Sequence, residues 1–450
     1  MENTKQAESL KDIQTNAEGA TKTWVTLIQP GNFSDPRYGD FAITLDMLRQ
    51  MVRNFDSRVL GKDVFIDVNH KLSDGAAGKV QKLSVEGGRL RALVAWTPFG
   101  VDAIKQRGFT YLGAEYHEQW RDNEKQVLHG YVLLGASLTL SGKNKIDLNE
   151  DVAVNFVGLV WRDGKLALNQ GADCSPTELS EQCPYYDLTF PSGRPADGVE
   201  VLLQFQGMFA ENEASIALVW ALGAHLKAFL GYWPHFALHA GKGVGKTKLL
   251  EALEKTIYLK RFGSRLLQSE YRIIGCVSNT SQPVGWDEFG TNGCKATEKA
   301  KAVLQECYRE SVVVYGVGFK RELLMTAPVL LCAEDVPLDG LHGKVVQSVL
   351  SRENRGPMIT PECPAFPMRE WLLFLCDLQK DKVQELQTSM VAQLQSDRLN
   401  NATTEHLVKN YAAVALSWHF LCEFLALDKG TGHFLADLTD KMTQHINEVS

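Results

Sequence analysis

A glycine-rich stretch near the middle of the chain carries residue types that can hold a phosphate group. It reads Ala240-Gly-Lys-Gly-Val-Gly-Lys-Thr247, follows the short apolar segment Phe236–His239 and precedes a helical pattern over Lys248–Ile257. Glycines at 241, 243 and 245 permit positive φ, so successive backbone N–H groups can point at phosphate oxygens. The spacing matches the phosphate-loop pattern GxxxxGK[ST] except for alanine at its first position.

The positions of this stretch have separate expected roles. Backbone groups would surround the phosphates, and a helix N-terminus would add its positive dipole end. Lys246 can reach the β- and γ-phosphates, and the Thr247 hydroxyl can bind Mg²⁺. The sequence therefore predicts ATP and Mg²⁺ as cofactors. The nucleotide-binding residues that it predicts are Gly241, Lys242, Gly243, Val244, Gly245, Lys246 and Thr247.

A second acidic motif supports the first. Pro283-Val-Gly-Trp-Asp-Glu288 has the form of a short apolar strand that ends in two carboxylates. We expect Asp287 to hold Mg²⁺ through water or through the threonine, and Glu288 to polarise an attacking water. Gly285 interrupts the apolar run, so an exposed acidic pair in a loop is the alternative.

Two later segments offer residues that could sense or neutralise the terminal phosphate. Thr326–Cys332 predicts an apolar strand, after which Glu334, or Cys332 within it, could contact a γ-phosphate; a plain core strand is the alternative. Arg352 or Arg355 could act in trans as an arginine finger, because phosphoryl transfer needs added positive charge. The alternative for these arginines is a solvated run of charges.

Composition limits the class of protein. The chain has 450 residues, of which 44% are hydrophobic and 22% charged, so a disordered, collagen-like or coiled-coil protein is excluded. A net charge of −7 argues against a wholly basic DNA-coating protein but permits a local basic channel. Candidate channel residues, which equally suit a solvated face, are Lys295, Lys299, Lys301, Lys320 and Arg321.

The sequence predicts a cytoplasmic protein without membrane contact. The most apolar stretch, Ile216–Leu230, is interrupted by His225 and Lys227, and the N-terminus lacks the pattern of a signal peptide. The nine cysteines form no CxxC pair, which predicts reduced, mostly core-filling thiols and no structural zinc site.

Periodicity and composition divide the chain into five segments. Residues 1–21 are predicted to be a disordered tail, 22–150 a compact α/β domain, 151–200 a linker, 201–360 an α/β nucleotide-binding domain and 361–450 a helical domain. Within the first domain, Lys79–Val85 and Arg89–Trp96 flank Gly87-Gly88, which predicts a β-hairpin. The fold class expected is a multidomain α/β protein.

Residues 200–360 resemble the ATPase core of phage and plasmid primase-helicases. The resemblance rests on the phosphate loop, the alanine-rich helix before it and the string Ser278-Asn-Thr-Ser-Gln-Pro-Val-Gly-Trp-Asp-Glu288. It implies an AAA+ or RecA-like P-loop ATPase that forms a homo-oligomer, often a hexamer. It also implies action on single-stranded or duplex nucleic acid.

Residues 22–148 resemble the Mu-like prophage protease, a relative of prohead proteases and herpesvirus assemblins. The matching strings include Trp24-Val-Thr-Leu-Ile-Gln-Pro-Gly-Asn-Phe, Asp67-Val-Asn-His70, Ala76-Ala-Gly-Lys-Val, Ala95-Trp-Thr-Pro and Gly135-Ala-Ser-Leu-Thr. The resemblance implies an assemblin-like α+β fold that contains a β-barrel. It also implies Ser/His chemistry, with His70 as the catalytic base.

The nucleophile of that family is missing here. The family places serine in a Tyr-apolar-Ser-Pro string, whereas this chain has Tyr111-Leu-Gly113-Ala114. Glycine has no oxygen with which to attack, and Ser137 is expected to be a packed small residue. We therefore expect an inactive protease-derived domain that recognises a protein partner, in which His70 would be a core histidine without a catalytic role.

The leading hypothesis is an ATP-hydrolysing, nucleic-acid-linked motor of a phage or mobile element, fused to that recognition domain. Two alternatives stay open at this stage. One is an ATP-dependent protease with an assemblin-like peptidase domain, in which His70 is catalytic. The other is a nucleotide-gated phage-defence switch with slow hydrolysis.

Overall fold

The computed structural model describes most of the chain and separates it into two compact units. The first unit comprises the described residues before 155 together with those of 161–165 and 312–320, and the second comprises the rest. Residues 1–20 of the predicted tail, 1–21, lie outside the described part, and Thr21 is the first residue of a strand. The ranges described are 21–35, 39–121, 127–140, 146–147, 156–162, 165–171, 183–264, 269–290, 294–315, 321–395 and 402–449.

The first unit is built mainly from strands. Its elements are β1 (Thr21–Ile28), β2 (Gly31–Asp35), β3 (Gly39–Ile43), α1 (Leu45–Asp56), β4 (Phe65–Val68), β5 (Gly78–Glu86), β6 (Arg89–Trp96), α2 (Pro98–Lys105), β7 (Tyr111–Arg121), β8 (Leu128–Thr139) and β9 (Ile146–Asp147). The hairpin predicted at Gly87-Gly88 is confirmed: both glycines have positive φ, and β5 pairs antiparallel with β6.

One seven-stranded sheet dominates this unit, in the order β1-β6-β5-β4-β8-β7-β9. Burial alternates along β6, as expected for a strand that covers a core on one face. Helix α1 starts at the Thr44 cap, whose hydroxyl accepts from Met47 N–H, and packs on β8 and β5 through Leu45, Leu48 and Met51. Strand β4 lies parallel to β8, which brings the residues after β4 beside β8 and β7.

Strands and helices alternate through much of the second unit, and helices form its C-terminal part. Strands β10 (Gly158–Arg162) and β15 (Ser311–Tyr315) fall at the divisions between the units. The other elements are β11 (Lys165–Asn169), α3 (Pro195–Met208), α4 (Glu213–Gly223), α5 (Lys227–Leu230), β12 (His235–Ala240), α6 (Lys246–Ile257), β13 (Lys260–Gly263), α7 (Glu270–Gly275), β14 (Val284–Asp287), α8 (Cys294–Cys307), β16 (Arg321–Met325), β17 (Val329–Ala333), β18 (Val345–Leu350), α9 (Met368–Cys376), α10 (Lys380–Leu394), α11 (Ala402–Leu425) and α12 (Phe434–Val449).

A five-stranded parallel sheet forms the centre of the second unit, in the order β13-β14-β17-β12-β18. Its central strand β17 is buried at every position, as is typical of a parallel strand covered on both faces. Gly285, which interrupts the apolar run of β14, has a packing role, because a Cβ there would lie 2.9 Å from Leu259 Cδ2. Because the strands of this sheet run parallel, the carboxyl ends of β12, β14 and β17 share one edge of the sheet.

Helices cover this sheet and account for the most apolar segment of the chain. Glu213–Leu230 is, among the described residues, a stretch long and apolar enough to cross a membrane, yet 89% of it is buried inside the protein. Helix α11 packs on α4, α10 and α12, so part of the predicted helical domain 361–450 packs in the same unit as the sheet. The predicted linker 151–200 includes strand β11 and the start of α3.

The chain is thus a mixed α/β protein with more than one compact unit, as its sequence predicted. Helix α3 begins at Pro195, within the predicted linker, because proline suits the first turn of a helix and the Asp197 carboxylate accepts from Arg194 N–H at 2.7 Å.

Candidate functional site

The predicted phosphate loop lies between the end of β12 and the start of α6. Gly243 has φ +73° and Gly245 has φ +131°, conformations that other residues rarely adopt. Gly241 does not have positive φ, so only two of the three glycines use the freedom that the sequence permits. Ala240, the alanine that stands at the first glycine position of the motif, is 2% exposed and pairs with Leu350 of β18. It is therefore a buried strand residue.

Close packing also restricts the loop. A Cβ on Gly245 would lie 3.2 Å from Phe209 Cζ, and one on Gly243 would lie 3.4 Å from the Arg352 guanidinium. Residues 241–243 are exposed. The loop is therefore open to solvent on one side and supported by side chains on the other.

The two acidic-motif residues and the loop lysine come together at the carboxyl edge of the sheet. Lys246 Nζ lies 3.5 Å from Asp287 Oδ1, and both side chains are largely buried, at 18% and 19% exposure. Glu288 follows directly in a left-handed conformation, φ +56°, and its N–H donates to Asp287 Oδ1 at 3.0 Å. The left-handed turn leaves Glu288 exposed beside the loop. Thr247, also exposed, begins the first turn of α6 with Lys246.

Arg261 is a member of this cluster that the sequence analysis missed. From β13 its guanidinium lies 3.7 Å from Asp287 Oδ2 and 3.1 Å from Glu254 Oε1. Arg261 pairs with Gly285 in the parallel register, two residues before the aspartate. Only the pairing of the two strands reveals this proximity, since nothing in the local pattern of β13 marks it.

The residues after β17 lie beside the same loop. Glu334 Oε1 is 3.7 Å from Lys242 Nζ, so this candidate is near the phosphate loop. Cys332 is fully buried in β17, and burial raises the pKa of its thiol well above the usual value. Cys332 is therefore a core residue, and of the two predicted sensors only Glu334 is exposed at the edge.

Both candidate arginines contact the loop of their own chain. The Arg352 guanidinium donates to Lys242 O at 3.1 Å, and that of Arg355 donates to Gly243 O at 3.4 Å. A role in trans stays a prediction. The geometry instead favours action from within the same chain.

Of the residues predicted to line a basic channel, Lys295, Lys299 and Lys301 have described side chains. Lys301 is only 6% exposed, with its ammonium 3.1 Å from Glu298, so it cannot line an open channel. Lys299 lies 3.6 Å from Glu270, and Lys295 is exposed. Lys320 and the side chain of Arg321 lie outside the described part.

In the first unit, His70 and the serine candidate lie where β4, β8 and β7 meet. Ser137 of β8 pairs with Asp67 on one side and with Gly113 on the other. The backbone N–H of His70 donates to Ser137 Oγ at 2.7 Å and lies 3.1 Å from Asp67 Oδ1. Ser137 is 0% exposed, which confirms that it is packed.

The His70 imidazole contacts Glu115, whereas the contact with Ser137 is made by the backbone of His70. Its Nδ1 lies 2.6 Å from Glu115 Oε1, and both side chains are 50% exposed. The expectation of a core histidine is therefore wrong: a left-handed backbone, φ +58°, turns the ring outward. Gly113 and Glu115 share one face of β7, because side chains alternate along a strand. A side chain at position 113 would thus stand on the face of β7 that carries Glu115, the partner of His70.

Neither unit shows a protein-only metal centre or a cross-link in its described part. No group of three or more His, Cys, Asp or Glu side chains there could hold a metal ion. The described cysteines form no disulfide, and most of them are buried.

One comparison with known proteins found a match to the first unit. Residues 25–141 match the model of the Mu-like prophage I protein, N-terminal domain, which is a phage family. No curated protein matches the chain at a significant level. A solved structure described as "SCCmec type IV Cch - active helicase" aligns with a TM-score of 0.47 and 14% identity, over 76% of this chain and 75% of that one.

Proposed function

We propose that the second unit binds ATP with Mg²⁺ and hydrolyses it. The observation that carries the proposal is the 3.5 Å approach of Lys246 Nζ to Asp287 Oδ1, beside a glycine loop at the carboxyl edge of a parallel sheet. In open α/β sheets, ligands bind outside the carboxyl ends of the strands. An ammonium group and a carboxylate at that edge suit a polyphosphate and its cation, respectively.

The loop fits a triphosphate for steric and electrostatic reasons. Positive φ at Gly243 and Gly245 turns backbone N–H groups toward one side, and the 12-residue helix α6 adds its positive end. Thr247 and Asp287 are the residues that would hold Mg²⁺, which supplies charge neutralisation at the phosphates when bound.

Glu288 is positioned to move a proton. It is exposed, and its backbone is tied to the neighbouring aspartate, so its carboxylate can face a water molecule rather than the metal site. A carboxylate in this place would accept the proton that an attacking water loses. Arg352 and Arg355 add positive charge on the other side of the loop.

The finer proposal is that hydrolysis drives a nucleic-acid-linked motor of a phage or mobile element. The resemblance of residues 200–360 to primase-helicase ATPases supports it, as does the phage family matched by residues 25–141. In this proposal the chain works as a homo-oligomer, and its first unit recognises a partner protein.

We further propose that the first unit no longer cleaves peptides. Gly113 stands beside Ser137 in place of a nucleophile, and Ser137 is buried with its hydroxyl occupied by the His70 N–H. This geometry disfavours the ATP-dependent protease alternative, because no exposed hydroxyl faces the His70–Glu115 pair among the described contacts.

Nucleotide titration tests the central proposal. Purified wild-type chain and Lys246→Ala are titrated with a fluorescent ATP analogue and assayed for phosphate release with Mg²⁺. We expect binding and release to be lost in Lys246→Ala and kept in Lys248→Ala, whose exposed lysine lies two residues further along and pairs with Glu251. Equal binding by the Lys246→Ala variant and the wild type would overturn the assignment.

A second measurement tests the motor. Phosphate release is compared with and without single-stranded DNA, duplex DNA and RNA, and the mass in solution is measured with and without ATP. Stimulation by one polymer together with an ATP-dependent oligomer supports a motor. Slow, unstimulated turnover would instead favour a nucleotide-gated switch.

A further inference from the structure

A short turn after β18 carries the two arginines that contact the phosphate loop. In this arginine turn, residues 351–356, Arg352 donates to Lys242 O and Arg355 to Gly243 O. Each guanidinium carries five N–H donors, and these contacts each use one nitrogen. Both arginines are exposed, so their other donors can turn toward an anion on the loop.

A buried carboxylate holds the arginine turn. Glu213, the first residue of α4, is 2% exposed. Its Oε2 accepts from Ser351 N–H at 3.1 Å, and its Oε1 accepts from Asn354 Nδ2 at 2.8 Å. The two oxygens of one side chain thus fix the residue before Arg352 and the residue before Arg355.

The segment before Glu213 makes further contacts with the same turn and the same loop. Ala210 N–H donates to Asn354 O at 2.7 Å, and Gly356 N–H donates to Met208 O at 2.8 Å. The Phe209 ring packs close to Gly245. Residues 208–213, the arginine turn and the phosphate loop therefore form one connected set.

This segment is locally strained and is held from the far end of the chain. Glu211 and Asn212 are consecutive non-glycine residues with φ +54° and +52°, which costs energy that other contacts must offset. Asn212 Nδ2 donates to Gly432 O and to Asp437 Oδ2, both at 2.7 Å. The C-terminal helix α12 thus helps to set the position of Glu213.

We infer that Glu213 is a positioning residue that holds Arg352 and Arg355 over the phosphate loop of the same chain, so that they recognise the terminal phosphate of a bound triphosphate. This inference rests on the proposed function. Lys246 and the backbone of the loop are expected to grip the phosphates that ATP and ADP share. The arginine turn then supplies the preference for ATP, because only the triphosphate extends beyond that grip.

The test is the ratio of the affinities for a non-hydrolysable ATP analogue and for ADP, measured by titration of the full chain. We expect Arg352→Ala and Glu213→Ala each to lower this ratio about ten-fold or more, with ADP affinity little changed. Glu213→Gln should keep the wild-type ratio. The glutamine amide oxygen can accept from Ser351 N–H, and a flipped Asn354 amide can accept from the glutamine NH₂ group.

Two comparisons separate positioning from general loss of structure. In Ser348→Ala, the hydroxyl that is lost donates to the Glu213 backbone carbonyl at 3.2 Å and not to its carboxylate, so the ratio should stay at the wild-type value. If Glu213 acts through Arg352, the two substitutions remove one shared interaction. The loss in the ATP-to-ADP affinity ratio of the double variant Glu213→Ala/Arg352→Ala should therefore be clearly less than the product of the losses in the two single variants.

The outcomes distinguish this inference from the function on which it rests. If the wild type binds neither nucleotide, the proposed ATPase fails. If the wild type binds both and Lys246→Ala binds neither, but Glu213→Ala leaves the ATP-to-ADP ratio unchanged, the ATPase stands and the role of Glu213 is refuted. A ratio lowered equally in Ser348→Ala would also refute it, since packing alone would then explain the change.

Discussion

The two candidate sites use glycine in opposite ways. In the second unit, Gly243 and Gly245 provide the positive φ that lets a backbone surround an anion, and a cation and a carboxylate stand beside them. In the first unit, Gly113 occupies a regular strand position where a side chain would face His70 and Glu115. Glycine thus provides backbone conformation in the second unit, whereas in the first unit it leaves a strand position beside His70 and Glu115 without a side chain.

The largest expected effect tests whether the second site is chemically complete. Glu288→Gln should lower phosphate release by about 100-fold or more, because a general base contributes about 10² to 10⁴ in rate. Nucleotide binding should persist, since the amide keeps the shape of the side chain. Glu298→Gln, which alters an exposed acid on α8, serves as the control for a lost negative charge. Unchanged turnover in Glu288→Gln would remove this residue from the mechanism.

Low pH should destabilise the second unit more than the first. Burial lowers the pKa of His225, His235 and His445 in the second unit to about 3, whereas His70 in the first unit is exposed. Since the unfolded chain takes up these protons first, stability should be constant above about pH 6.5 and fall as the pH drops toward 3. The loss should be about 2 kcal/mol for each histidine between about pH 8 and about pH 5.

Hydrogen exchange at several pH values, corrected for intrinsic rates, measures this difference within one chain. We expect protection of β12, β17 and β18 to fall before that of β5 and β6. His445→Gln should reduce the acid effect by about a third, since one of three buried imidazoles is removed. The idea fails if both sheets lose protection in parallel.

A pair of loop substitutions sharpens the role of glycine in the second site. Gly245→Ala should weaken ATP binding by about 1–3 kcal/mol, because φ +131° strains any side chain and Phe209 already fills the space. Gly241→Ala should have little effect, because its Cβ would meet only Val244 Cγ2, at an ordinary 3.7 Å. Titration of both variants with ATP tests this prediction. Equal ATP affinities of Gly245→Ala and Gly241→Ala would show that the glycines act through general flexibility instead.

The smallest expected signal comes from adding the missing group to the first site. Gly113→Ser would place a hydroxyl on the strand face shared with Glu115, so we expect slow labelling by a fluorophosphonate probe that the wild type does not show. Gly113→Ala and the double variant Gly113→Ser/His70→Ala are the controls and should not be labelled. If Gly113→Ser stays unlabelled, more than the nucleophile separates this unit from a hydrolase.

Local sequence patterns predicted many individual elements. The Gly87-Gly88 hairpin, the loop between an apolar strand and a helix, and the strand that ends at Asp287 all appear where expected, because each depends on near neighbours in the chain. Lys301 and His70 were misjudged for the opposite reason. Each contacts a residue far along the chain, Asp339 for Lys301 and Glu115 for His70, whose proximity a linear pattern does not show.

The residue types and spacing in the chain determined that a glycine-rich turn joins an apolar strand to a helix, that a second strand ends in two acids, and that a serine is absent from Tyr111-Leu-Gly113-Ala114. Only the tertiary structure decided that Arg261 contacts Asp287, that Glu213 holds the arginine turn, and that His70 faces Glu115. The reason is physical: conformation at a glycine is a local property, whereas a hydrogen bond or ion pair between distant residues exists only after strand order and helix packing have brought them together.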